Sequence, residues 1–433
     1  MRWIQPQKWF LNALFHSYSL FLISGNLLRL VDLGFTRHGL LISELILYFF
    51  IFCSLFCFRF SFSVFLYLIV FIVSLSAIYG SIYNEFQFTP LLFSMRLIAM
   101  IFTGTIMGKA LYLKFGDSIL ETLRYFEKVY LKNIMIGFVI YFLFFDTHTL
   151  WPFLSLFGFA FEGDSHEGRF ISPYLCPNLF GAIGQLPFII SYHLSSVCKE
   201  TRWKTFLFGA AILLTWSRSG LAAFVFLLIG MYLSSKKKAY WTISKKSVFF
   251  LLFASVPILL IFIFSFKEVQ FFVDRFIHMN SCPSAKARSD SFVFGLDIVK
   301  EHPFWGIGYN YLAAYLADYT GLSSIDSSLL STLVTFGSII FVSAVILFVC
   351  WFYNFLQKMF GYKQEKPELF LFFKLLSFYL FICIVFTSQF NNLLYYPFWL
   401  VPVLTIFSYL STCQDKSESA NRNKYVKRIG LLS

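Results

Sequence analysis

Arg218 stands at the centre of an apolar run, Thr205 to Leu233, within the sequence Thr215-Trp216-Ser217-Arg218-Ser219-Gly220. A guanidinium in such a place suits the binding of an anion. It stays charged, and its planar fork donates paired hydrogen bonds to phosphate or carboxylate oxygens. Positive charge flanks the run on both sides: Lys199, Arg202 and Lys204 precede it, and Lys236, Lys237, Lys238, Lys245 and Lys246 follow. Short basic loops prefer the cytoplasm, so both ends want the same side of a membrane. A single crossing would part them; the run is expected to enter, turn at Ser217 to Gly220 and return. Each limb has about 12 residues, roughly 18 Å of helix, against about 30 Å of hydrocarbon. The turn then lies below the outer surface, which is tolerable only beside a water-filled or protein-lined cavity. Arg218 is therefore a candidate functional residue.

The rest of the chain must supply that membrane setting. Of 433 residues, 58% are hydrophobic and 13% charged, where ordinary soluble domains carry about 25% charge. This is the composition of an all-α, polytopic integral membrane protein. The net charge of +13 comes from Lys and Arg scattered through short loops between apolar runs, which is what orientation in a bilayer requires; nucleic acid is excluded as a partner. The eight cysteines, among them Cys53, Cys57, Cys350 and Cys383, have no CxxC spacing and propose neither a zinc site nor a disulfide framework. A bridge between Cys176 and Cys282 is conceivable, with nothing to support it. Met1 to Arg29 lacks a small-residue cleavage site and reads as a retained first span.

Spans are expected near 10 to 30, 40 to 58, 60 to 80, 90 to 113, 131 to 150, 173 to 196, 247 to 266, 327 to 355, 368 to 388 and 394 to 412. With the paired limbs of the central run these make about 12 transmembrane segments. Residues 1–413 form the membrane domain and 414–433 a cytoplasmic tail; the Lys and Arg bias puts both termini inside. Two external loops, about 146–172 and 267–326, are too long to be mere connectors. In the second, Phe292, Val293, Leu296 and Val299 fit one face of a short amphipathic helix, which Pro303 ends. The aromatic turn Phe304-Trp305-Gly306-Ile307-Gly308-Tyr309 follows.

Three segments, in order, resemble the O-antigen polymerase and ligase family of bacterial membrane glycosyltransferases. Leu213 to Gly220 is similar to its apolar-Thr-x-Ser-Arg turn. Arg288, the helix after it and His302-Pro303-Phe304-Trp305-Gly306-Ile307-Gly308 are similar to its Arg, amphipathic helix and His-Pro-x-x-Gly-x-Gly segment. Asp326-Ser327-Ser328-Leu329-Leu330 resembles the entry to the next span. Upstream, Arg169 to Pro173 with Pro177-Asn178 resembles the family's Arg and Pro-Asn segment. The resemblance spans roughly residues 165 to 345. It implies a GT-C-like fold with a long external loop, and a substrate that is an undecaprenyl-diphosphate-linked oligosaccharide. It also implies a reaction without metal or cofactor on the periplasmic face of the inner membrane. The family's ligases carry a His where this chain has Asp326-Ser327, which favours a polymerase, working with or without a chain-length regulator. A ligase acting on lipid A core and a lipid-linked oligosaccharide flippase are the alternatives.

Such chemistry requires groups that hold a departing diphosphate and a base for the acceptor hydroxyl. Arg218, Arg288 and Asp326 are the catalytic candidates, and Arg169, Asn178 and Trp305 the substrate-binding ones. Against them stand plain structural readings. The arginines could pair with loop carboxylates such as Glu162, Asp164 or Asp290. Asp326 could cap a helix beginning at Ser327, Asn178 could turn the chain into a span, and Trp305 could anchor at the interface. His302 reads as structural before Pro303, while His166, Glu167 and His278 remain unranked.

Overall fold

The computed structural model describes residues 5–29, 41–57, 64–84, 88–144, 147–157, 166, 168–198, 202–234, 283–312, 325–365 and 367–429. The expected span at 247–266, Cys282, and the loop residues Glu162, Asp164, Glu167 and His278 lie outside them. Among the described residues the elements are helical. They are α1 (Gln5–Ser24), α2 (Ile42–Cys57), α3 (Val64–Tyr83), α4 (Phe88–Phe115), α5 (Ile119–Leu143), α6 (Thr147–Ser155), α7 (Pro177–Ile183), α8 (Gln185–Val197), α9 (Trp203–Leu214), α10 (Arg218–Ser234), α11 (Pro283–Glu301), α12 (Ser328–Glu365), α13 (Pro367–Phe381) and α14 (Pro397–Ile429).

Among the described residues, four helices are long and apolar enough to cross a membrane: Leu66–Tyr83, Pro90–Phe115, Ser328–Gln357 and Leu369–Gln389. Shorter apolar helices occupy Ile42–Cys57, Trp203–Leu214, Arg218–Tyr232 and Pro397–Cys413. Their outer faces are what a lipid solvent calls for: Phe71, Ile78 and Ile82 on α3 and Val342, Ile346 and Val349 on α12 are exposed, and no water-facing surface would carry them in such rows. The interior is equally apolar, with Phe126, Phe180, Phe208 and Phe372 fully buried.

Several helices depart from single straight spans. The segment expected at 173–196 is divided into α7 and α8 around Gly184. The α13 helix unwinds into a π turn at Ile382–Phe386 and a 3₁₀ turn at Thr387–Gln389. The helices α4 and α14 pack closely. A Cβ on Gly104 would stand 2.4 Å from that of Leu404, and one on Gly108 2.5 Å from that of Ser408. This small-xxx-small spacing lets the two backbones touch.

The bundle has two ends. At one, Tyr409 donates to the Gly116 carbonyl at 3.2 Å, and Lys204 bonds the buried Glu127 at 2.6 Å. At the other meet residues 25–29, 84, 168–178, 215–218, 302–311, 325–328 and 387–396: Asn26 N–H bonds the Pro173 carbonyl at 2.8 Å, and Asn84 bonds that of Ile307 at 2.6 Å. The non-glycine residues with positive φ among those described, Ser172, Leu175, Trp216 and Asn310, all lie at this second end. Backbone strain gathers where a structure is built to hold a particular shape.

Candidate active site

The central run reverses as expected. Phe188 on α8 packs against Gly209 on α9, and its ring meets that of Phe224 on α10 at 4.9 Å, so α9 and α10 lie side by side with opposite direction. The reversal takes three residues. Thr215 ends α9, Trp216 turns the chain at φ 49°, and Ser217 caps α10 by accepting the Gly220 N–H at 3.2 Å. A capping hydroxyl at this position satisfies one of the N–H groups that a helix start leaves over. The carbonyls at the end of α9 are met from outside the hairpin: Phe170 N–H bonds Leu214 O at 2.9 Å and Arg169 Nε bonds Thr215 O at 2.9 Å. A cation at a helix C-terminus also opposes the negative end of its dipole. On the far side α10 leans on α7 at Gly220 and Gly181, where a Cβ added to Gly220 would come within 2.8 Å of the facing backbone and one added to Gly181 within 3.0 Å.

Arg169 and Asn178, both candidates for substrate contact, are bonded to one another at 3.0 Å. They form the wall that holds the turn. Arg218 is the first residue of α10 and half-buried, at a helix N-terminus whose N–H groups and dipole favour an anion.

Arg288 and Asp326 are also brought together, Nε to Oδ2 at 3.2 Å, with side chains 30% and 42% exposed. The partner of Arg288 is thus Asp326 and not Asp290. Asp326 does not cap the helix either. α12 begins at Ser328, and its cap is Ser327, whose Oγ accepts the Leu330 N–H at 3.2 Å. A capping Ser leaves the preceding carboxylate available for other work.

The expected helix is present as α11, and its four apolar residues divide. Phe292, Val293 and Leu296 are exposed, whereas Val299 packs with Phe294 and Ile298 against Ile325, Leu330 and Val334; Ser291 and Gly295 are buried on the same side.

The glycine segment after α11 has a structural task. The 38-residue α12 is broken at Gly337, φ 73° and ψ 172°. The strap 303–308 takes up the backbone groups this releases: Ile307 N–H to Val334 O and Gly308 N–H to Thr335 O, each at 3.0 Å, and Ser338 N–H to Pro303 O at 2.9 Å. A Cβ on Gly337 would lie 2.2 Å from Phe304 O, and one on Gly306 2.4 Å from Val334 O, so only glycine admits this pairing. Trp305, 50% exposed, sits on the strap beside Val334–Gly337. At 1.5 Å per residue that is roughly 9–14 Å along α12 from Ser328, and the structure does not bring Trp305 to the Arg288–Asp326 pair. His302 packs edge-on against the Tyr83 ring at 5.2 Å.

Sequence reasoning missed the segment that joins these pieces. Asn391 Nδ2 donates to Ser219 Oγ at 3.2 Å, and the Asn391 carbonyl accepts from Ser328 Oγ at 2.9 Å. Gln389 Oε1 accepts from Ser327 Oγ at 3.1 Å. The N-termini of α10 and α12 therefore converge on one short unwound stretch, with Arg218 beside one and Asp326 beside the other. The signal was the uncharged polar run Thr387-Ser388-Gln389-Phe390-Asn391-Asn392 between two apolar spans, in a place read as a plain connector. Losing the Asn391 amide should slow turnover about tenfold, the worth of one buried hydrogen bond. Asn391→Ala, compared with wild type for activity and melting temperature, checks this; a melting shift with an unchanged activity would reduce Asn391 to a structural link.

Residues 205–345 match the model of a family described as O-antigen ligase. The matched stretch takes in the central hairpin, α11, the strap and the first half of α12. No curated protein matches the chain. Over this third of its length the chain is similar to that family, and its apolar helices accord with a membrane protein.

Proposed function

We propose that the protein polymerises undecaprenyl-diphosphate-linked oligosaccharide repeat units into O-antigen or a related surface polysaccharide. In this reading some twelve segments span the inner membrane, both termini are cytoplasmic, and the site faces the periplasm. The observation that supports it is the meeting of two helix N-termini at Asn391, with Arg218 and the Arg288–Asp326 pair beside them. Two N-terminal dipoles and two guanidiniums suit a diphosphate, and a half-exposed carboxylate next to them suits a base.

The acceptor hydroxyl of one lipid-linked unit attacks the anomeric carbon of the growing chain. The bond from that carbon to the diphosphate oxygen breaks, and the electron pair leaves with the diphosphate. Arg218 and the α10 N-terminus take up the developing charge. Asp326, whose Oδ2 is turned to Arg288, receives the hydroxyl proton. Arg169 and Asn178 hold the turn that presents Arg218.

A ligase is the second reading, favoured by the description of the matched family; Asp326-Ser327 in place of the ligase His weighs against it. The two separate in cells that make lipopolysaccharide. Deleting a polymerase should leave core plus one repeat unit and remove the ladder, whereas deleting a ligase should remove both and leave polymer on its lipid carrier. The purified protein should extend undecaprenyl-diphosphate-linked repeats without nucleotide sugar, metal or lipid A core. Extension that depends on a nucleotide sugar would refute the assignment.

A further inference from the structure

We propose that Arg96, held by Glu44 and Tyr48, is a second phosphate-binding point, and that it takes the diphosphate of the second lipid-linked glycan. The assignment of that ligand rests on the polymerase reading.

Arg96 lies eight residues after Phe88 within the apolar span Pro90–Phe115, roughly 12 Å along the helix. A charge at that depth faces protein or a water-filled cavity and is a functional candidate by default. Its Nε and Nη2 bond the two oxygens of Glu44, each at 2.8 Å, and Tyr48 O–H donates to the same carboxylate. The pair is lopsided: the Glu44 side chain is 4% exposed and that of Arg96 24%. Two N–H groups on Nη1 take no part in the fork. Tyr48 also lies within hydrogen-bonding reach of Arg96. A buried carboxylate that grips one edge of a guanidinium whose side chain is itself partly exposed is an arrangement for presenting the other edge to an oxyanion.

Arg29, Tyr309 and Tyr396 lie within electrostatic reach of Arg96. They also tie the cluster to the end of the bundle where the candidate site lies. Tyr396 O–H is in contact with the Tyr174 carbonyl at 3.2 Å and with Asn26 Nδ2 at 2.8 Å. The Tyr309 ring packs on Tyr395, whose hydroxyl pairs with Thr332 at 2.7 Å, one turn from Ser328. Each turnover of a polymerase brings two lipid diphosphates. One departs at Arg218, and the other stays attached through the reaction and needs a separate hold.

The test counts undecaprenyl diphosphate bound to the full-length protein in detergent, by native mass spectrometry. Wild type should hold two, Arg96→Gln one, and Arg218→Ala one. Glu44→Gln, which keeps the guanidinium and an oxygen to hold it, should still hold two. If Arg96→Gln retains two, or if Glu44→Gln and Arg96→Gln lose the same lipid with the same fall in melting temperature, Arg96 is half of a structural ion pair and the proposal fails. Displacement of the second lipid by an equal amount of phosphatidylglycerol would likewise overturn it. Should Arg96→Gln not accumulate, Arg96→Lys carries the test, with binding of the second lipid weakened about tenfold or more for want of the fork; unchanged affinity refutes the proposal. Failure of the polymerase reading looks different: Arg96→Gln would lose one lipid while wild type extended no repeats, which removes the acceptor assignment and leaves the phosphate site.

Discussion

Arg218→Ala should abolish polymer at normal protein abundance. The guanidinium stands at the start of α10, where the dipole and the capped N-terminus already favour an anion. Removing it takes away charge stabilisation that matters most as the diphosphate leaves, an effect of about 10²–10³ in rate for a single preorganised donor. Arg218→Lys should also be impaired, because a point charge cannot give the paired bonds of the fork. The measurement is extension of lipid-linked repeats by the purified variants, with the amount of folded protein matched. Wild-type rates in both would return Arg218 to a structural role.

Asp326→Asn should lower the rate by about 10²–10⁴, the usual worth of a general base, with little change in the half-saturating concentration of substrate. The amide keeps the shape beside Arg288 and cannot take a proton. Ser327→Ala is the comparison, since it removes the cap of α12 at a cost of about 1 kcal/mol in stability and leaves the carboxylate in place. A loss of melting temperature confined to Ser327→Ala and a loss of rate concentrated in Asp326→Asn separate the two neighbours. Equal losses in both would mean that Asp326 serves only to shape the entry to α12.

The hairpin was legible because its cause is local. Basic residues on both sides of an apolar run too short to cross twice dictate a reversal, and Thr215, Ser217 and Gly220 are residue types that end one helix and start another. The pairing of Arg169 with Asn178 was half legible: both residues were candidates, as substrate contacts, and their bond to each other and to the turn was not foreseen. The helix α11 was legible from its apolar spacing, and which of its residues pack was not. Spacing reports apolarity and not the partner that covers it: Phe292, Val293 and Leu296 are exposed where Phe294 and Ile298 are packed. The glycines of the 303–308 strap were read as an interfacial turn; their reason is the break at Gly337, thirty residues later in the chain.

Composition and the order of apolar runs, which depend only on transfer from water to lipid, determined that this chain is a helical membrane protein with a reversing central run and an arginine at its turn. Which of those residues act together was decided by the tertiary structure alone. Asp326 belongs with Arg288, Asn391 joins the starts of α10 and α12, and Arg96 is presented by Glu44, because hydrogen bonds between elements 38 to 172 residues apart leave no periodicity in the sequence that carries them.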